Sequence, residues 1–123
     1  MMPRYIDGFV LPIPKDELST YQAVAEQVAA IWREHGALDY FEWVGDDLLT
    51  KGTPSFVTTS GAKEDEKVVF GWAVFESREA RDLANERVAA DPRMAQLVEP
   101  LTKSPKPIFD PTRMAYGGFR SLV

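Results

Sequence analysis

Two hydrophobic periods alternate along this chain. From Arg4 to Ile13, the residues Tyr5, Ile6, Phe9, Val10, Leu11 and Ile13 form a β-rich run closed by Pro12 and Pro14, which predicts a first strand. Over Lys15 to His35 the period becomes helical: Leu18, Tyr21, Ala25, Val28 and Trp32 share one stripe, widened by Val24 and Ile31. Asp16 and Glu17 suit the positive end of that helix, and Arg33, His35 and Gly36 supply a cationic last turn and a left-handed stop. Leu38 to Val44 is aromatic and β-branched, a second strand that runs out at Gly45-Asp46-Asp47. Leu48 to Ala62, rich in threonine and glycine, reads as a long loop, and its length and polarity make it the expected mobile rim of any pocket. The charged run from Lys63 to Lys67 leads into a third strand, Val68 to Phe75, which has no polar side chain. Ser77 is placed to cap a second helix with Ala80, Leu83, Ala84 and Val88 on its buried stripe. Asp91-Pro92 ends it and starts a short helix through Val98. A proline-rich connector over Glu99 to Pro111 leads to a short fourth strand, Arg113 to Phe119.

This βαββαβ order predicts an α+β, ferredoxin-like fold: a four-stranded antiparallel sheet with two helices on one face. Such a sheet leaves its other face to solvent, so its strands should alternate apolar and polar. Strand 3 does not: Phe70, Trp72 and Val74 lie on one face and Val69, Ala73 and Phe75 on the other. Each large side chain left in water forfeits roughly 1.5–3 kcal/mol. A second copy packed sheet to sheet removes that cost, so the pattern predicts a homodimer through the sheet face, a dimeric α+β barrel. Parity alone leaves open which set of strand 3 meets the partner.

The 123 residues are enough for one core, so residues 1–123 are expected to form a single domain. Apolar and charged fractions of 45% and 27% are those of an ordinary globular protein. Fourteen basic against nineteen acidic residues give a net charge of −5, with the cations scattered, which argues against nucleic acid as a partner. There is no cysteine, which excludes disulfides, thiolate metal sites and a cysteine nucleophile. The N-terminal residues lack a signal-peptide core and no apolar run is long enough to cross a bilayer, so the expected setting is cytoplasmic, without a membrane.

Several stretches carry a resemblance: Tyr5-Ile6-Asp7-Gly8-Phe9-Val10, Trp32 to Leu38, Gly45-Asp46-Asp47, Lys63 to Glu66, Asp91-Pro92-Arg93-Met94 and Arg113 to Phe119. Together, and in this order, they resemble the YbaA-like bacterial proteins, a domain-of-unknown-function family placed among the dimeric α+β barrels. The resemblance covers nearly the whole chain. It implies the ferredoxin-like fold and the dimer, and brings no catalytic residues to carry over. Relatives of that fold include cofactor-free monooxygenases, lactone isomerases and haem-dependent enzymes, which are analogies only. The chain departs from the family pattern at His35, where an aromatic such as tyrosine is expected.

Candidate chemistry is sparse. His35 is the single histidine, so one chain cannot build a multi-histidine metal site, and the simpler reading is a structural cation at a helix C-terminus. Asp46, Asp47 and Glu42 match no metal loop and read more simply as a turn, so no metal and no cofactor is expected. Tyr116-Gly117-Gly118-Phe119 is not a phosphate loop, because no helix N-terminus or lysine follows it. Arg93 could meet an anion, though a surface arginine is the simpler reading. Asp7 stands out because it interrupts an apolar strand, and a buried carboxylate must be paired or neutral. Arg113, at the start of the strand expected beside strand 1, is its expected partner. Asp7, Trp72 and Tyr116 are therefore the catalytic candidates, and Tyr40 and Arg113 the substrate-binding ones. The competing reading makes the aromatics core or interface and the ion pair structural.

The expected function is binding or transforming a small apolar or aromatic molecule between sheet and helices, in the manner of cofactor-free barrel enzymes. The alternatives are a non-catalytic binding module and a structural or regulatory dimer.

Overall fold

The computed structural model describes residues 4–103 and 105–123. Four strands, β1 (Tyr5–Pro14), β2 (Asp39–Val44), β3 (Glu66–Phe75) and β4 (Ala115–Arg120), form one antiparallel sheet in the order β2-β3-β1-β4. Between them run α1 (Leu18–Glu34), α2 (Phe56–Ser60), α3 (Arg78–Ala90) and α4 (Pro92–Thr102). This is the predicted ferredoxin-like arrangement, with differences that follow from local chemistry. The first helix starts three residues late, because Lys15–Glu17 form a 3-10 turn leaving Pro14. The expected loop over residues 48–62 contains α2, capped by the Ser55 side chain, which accepts from the Val57 amide, and closed by Gly61 at φ 68°. The short helix after Asp91 extends to Thr102 in spite of Pro100. Fourth-strand pairing starts at Ala115 instead of Arg113, because residues 111–113 form a 3-10 turn capped by Asp110.

Caps mark the other helix starts. The Ser77 hydroxyl accepts from the Ala80 amide at 3.1 Å, as predicted, and the Asp91 carboxylate accepts from the Arg93 amide at 3.0 Å with Pro92 following it. His35 and Gly36 (φ 119°) end α1. His35 Nε2 lies 2.8 Å from Asp91, and Arg93 joins Asp91 to Glu34, so an ionic network ties the end of α1 to the α3–α4 junction. Arg93 is thereby engaged and does not present a free cation.

Strand parity is resolved by packing. Val69, Ala73 and Phe75 of β3 and Phe9, Leu11 and Ile13 of β1 are buried under the helices, with Tyr21, Ala84, Val88 and Leu101 opposite. Phe70 and Trp72 lie on the open face with Phe41 and Trp43 of β2, their neighbouring ring centroids 5.6–6.1 Å apart. Phe56 of α2 reaches the same face and meets Phe70 edge-on at 5.8 Å. The expected pocket rim is corrected accordingly: the 48–62 segment adds an aromatic to the open sheet face and lines neither cavity described below.

Gly71 permits one close approach that shapes the helix-facing side. A Cβ there would lie 2.5 Å from the Phe9 ring and 2.6 Å from the Phe41 carbonyl oxygen. With hydrogen in that place, Phe9 lies down between Tyr40 and Tyr116, at centroid distances of 6.2 and 6.3 Å.

Candidate functional site

The α1 stripe does not pack flat on the sheet. Tyr21, Val24, Ala25, Val28 and Trp32 border a space whose other walls are Phe9, Ala73 and Tyr40 of the sheet and Met94, Val98 and Leu101 of α4. This space is an open-sided cavity of about 260 Å³ with a mostly apolar lining. A wider groove of about 500 Å³ runs outside it between α1 and β2, and Tyr21, Ala25, Tyr40 and Glu42 line both.

Two carboxylates break the apolar lining, and register explains both. Asp7, Ala73 and Tyr40 lie in one cross-strand row, and Phe9, Gly71 and Glu42 in the next, so all project toward the helices. Asp7 is 1% exposed. One of its oxygens accepts from Arg81 Nη1 at 2.6 Å and the other from the Tyr116 hydroxyl at 2.7 Å. Arg81 reaches down from α3 over the Tyr5 ring, its guanidinium carbon 4.8 Å from the centroid. Burial and the bond to Asp7 raise the Tyr116 phenol above its ordinary range. Although about half of Tyr116 is exposed, its hydroxyl points inward to Asp7.

Glu42 is held differently. One of its oxygens accepts from the Tyr21 hydroxyl and the other from the Tyr40 hydroxyl at 2.8 Å. Among the described residues no cation pairs with it. Desolvation raises its pKa in spite of the two phenol bonds, which favour the anion. The same burial, with the neighbouring carboxylate, raises both phenols. A group whose folded pKa lies above its unfolded value stabilises the fold at low pH and loses that contribution as pH rises through the folded value. The stability of wild type relative to Glu42→Gln is therefore expected to fall from the ordinary glutamate range upward, as read by urea denaturation at a series of pH values. A pH-independent difference would show that Glu42 titrates normally.

The sequence candidates are partly brought together. Asp7, Tyr40 and Tyr116 line the cavity, while Trp72 lies on the opposite face of the sheet. The Asp7–Arg113 pair is corrected. Asp7 pairs in register with Gly118, and the strand partners of Arg113 would begin about five residues further along β1, roughly 17 Å away. Arg113 instead binds Glu66 at 2.7 Å and the Gly61 carbonyl at 3.0 Å. Tyr21 and Arg81 were not singled out by sequence, and Glu42 entered only beside Asp46 and Asp47 as a carboxylate group that matches no metal loop. The available signal for Glu42 was alternation in β2, where the aromatics Phe41 and Trp43 take one face and Tyr40 and Glu42 the other. Glu34, His35 and Asp91 converge closely enough to suggest a metal, but Arg93 already bridges Glu34 and Asp91.

The sheet order, the helices stacked on one face and the intervening cavity define a ferredoxin-like α+β protein. A solved structure described as a dimeric ferredoxin-like protein from an uncultured marine organism superposes with a TM-score of 0.53 at 12% identity, covering 98% of this chain and 95% of that one. The chain belongs to the family described as "Protein of unknown function (DUF1428)", which matches residues 4–106. It is 37% identical over 120 residues to the uncharacterized protein YbaA of Escherichia coli strain K12, covering 98% of this chain and 97% of that protein. The YbaA of Shigella flexneri matches to the same extent. No helix among the described residues is long and apolar enough to cross a membrane.

Proposed function

We propose that the chain is a one-domain, small-molecule-binding protein that works as a homodimer through its open sheet face and holds its ligand in the cavity between α1, α4 and the sheet. The observation that carries this reading is an apolar cavity of about 260 Å³ walled at two places by carboxylate–tyrosine clusters. Apolar walls with a few convergent polar groups are the composition of ligand sites. An apolar cavity of about 150 Å³ already accommodates benzene, so a substituted single ring or an alkyl chain of similar bulk fits. The dimer is supported by the aromatic face and by the dimeric description of the structural neighbour.

Native mass spectrometry of the purified protein is expected to reveal a bound small molecule, and Ala25→Phe to lose it. Ala25 lines both spaces, and overpacking costs roughly 1–3 kcal/mol, which a folded protein can absorb. Retention of the molecule in a folded Ala25→Phe variant would place the ligand elsewhere. The raised carboxyl of Glu42 favours a second reading, proton transfer on the bound molecule. Incorporation of solvent deuterium into that molecule, lost in Glu42→Gln, separates catalysis from binding.

A further inference from the structure

We propose that the cavity selects an organic cation, a small primary ammonium with an aryl or alkyl body, whose nitrogen sits against Glu42 and the oxygens of Tyr21 and Tyr40. The inference rests on the cavity being a ligand site and adds the chemical class of the ligand.

Charge is the first argument. Among the described residues no Lys, Arg or His lines the inner cavity, while two carboxylates do. A ligand carboxylate or phosphate would find no countercharge there. Of the two carboxylates, Asp7 is already neutralised by Arg81, whereas Glu42 has only phenols. A carboxylate removed from water is stabilised by a proton or by a cation brought to it.

Hydrogen-bond parity is the second, independent argument. Both phenols spend their only proton on Glu42. What remains unpaired around this carboxylate is therefore acceptor capacity alone: lone pairs on its own oxygens and on the two hydroxyl oxygens. A primary ammonium brings three donors and no acceptor, which matches that set. A ligand hydroxyl can supply one donor, and a ligand carboxylate none. The apolar side chains of Phe9, Val24, Val28 and Met94 around the cavity suit the apolar body of such a ligand.

The surroundings of Glu42 are compatible with this assignment. The charged and titratable groups that share a cavity with it, among the described residues, are Tyr21, Glu26 and Arg33 from α1, Tyr40 from its own strand, and Asp7 and Tyr116 on the far wall. Arg33 is the one cation among them, and its Nη2 donates to the Tyr40 carbonyl at 3.1 Å instead of pairing with Glu42. Glu26 lines the outer groove together with Arg33.

The test uses three probes of nearly equal shape, benzylamine, benzyl alcohol and benzoate, titrated calorimetrically into the full-length protein. Benzylamine is expected to bind about tenfold or more tighter than benzyl alcohol, the ratio a charge-assisted hydrogen bond supplies, with benzoate weakest. In Glu42→Gln the preference of amine over alcohol should vanish while the alcohol still binds. On acidification the amine should weaken and the alcohol should not, because a proton then takes the place of the cation on Glu42. Alcohol binding as tightly as amine, or an amine preference that survives Glu42→Gln, overturns the assignment and leaves the cavity a ligand site. Failure of all three probes to bind overturns both this assignment and the binding function on which it rests.

Discussion

Asp7→Ala is expected to cost about 3 kcal/mol of unfolding free energy, the lower end for breaking a buried pair, because it takes the partner from Arg81 Nη1 and from the Tyr116 phenol while the guanidinium keeps its bond to Asp82 at 2.8 Å. The lower end applies because the Arg81 side chain is 13% exposed and can partly rehydrate, while that of Asp7, at 2%, cannot. The pair also fastens α3 to the central strand, and Tyr116 fastens the edge strand to the same carboxylate, so one substitution loosens two attachments. Chemical denaturation of Asp7→Ala beside Asp7→Ala/Arg81→Met separates the causes. Since part of the liability is a largely buried guanidinium that keeps only its more exposed partner Asp82, the double variant should recover part of the loss. A single variant within about 0.5 kcal/mol of wild type, the range of ordinary surface substitutions, would mean that Asp7 contributes no net stability.

The second large effect concerns the two faces of β3. Val69 is 3% exposed under the helices and Phe70 is 39% exposed on the aromatic face, although they are neighbours in sequence. Val69→Lys buries an unpaired ammonium in the core and is expected to yield an unfolded chain. Phe70→Lys puts the same charge on the surface where the partner is proposed to pack, and is expected to yield a folded monomer. The wild-type melting temperature should rise with protein concentration, because an apolar interface of roughly 2,000 Å² or more couples folding to association. Circular dichroism reports folding and sedimentation velocity reports mass. A wild type that sediments as a monomer, with a melting temperature independent of concentration, would leave the aromatic face without a second copy to cover it.

The fold was legible because each signal behind it is local. Period changes at Pro14, Gly36 and Ser77 mark where the backbone switches between extended and helical, and strand 3 alone shows that one sheet face is unpaid for by helices. The candidate site was most legible where a single residue violates its own element, as Asp7 does in an apolar strand, while Tyr40 and Tyr116 stood out only as aromatics on its strands. Arg81 gave no such sign: an arginine on an amphipathic helix reads as solvent-facing, and only the stacking of α3 on β1 turns it inward. The expectation for Arg113 failed through register, since a 3-10 turn delays β4 pairing until Ala115 and places the arginine beside Glu66. Tyr21 was read as part of a packing stripe, and it is one; the same stripe also borders the cavity left between the layers. No periodicity in the sequence records the distance between two layers.

The placement of the three tryptophans gives the protein two separate optical reporters. Trp43 and Trp72, with ring centroids 5.9 Å apart on the open face, form a coupled pair whose emission answers to whatever covers that face. Trp32 borders the cavity, edge-on to Phe75 at 6.1 Å, and answers to what fills it. The sheet lies between Trp72 and Trp32, and Trp43 also borders the outer groove, so for a ligand confined to the inner cavity assembly and occupancy can be followed in one sample, with Trp32→Phe silencing the second channel. Dilution should then alter the emission of the pair while Trp32 holds steady, and a cavity ligand should do the reverse.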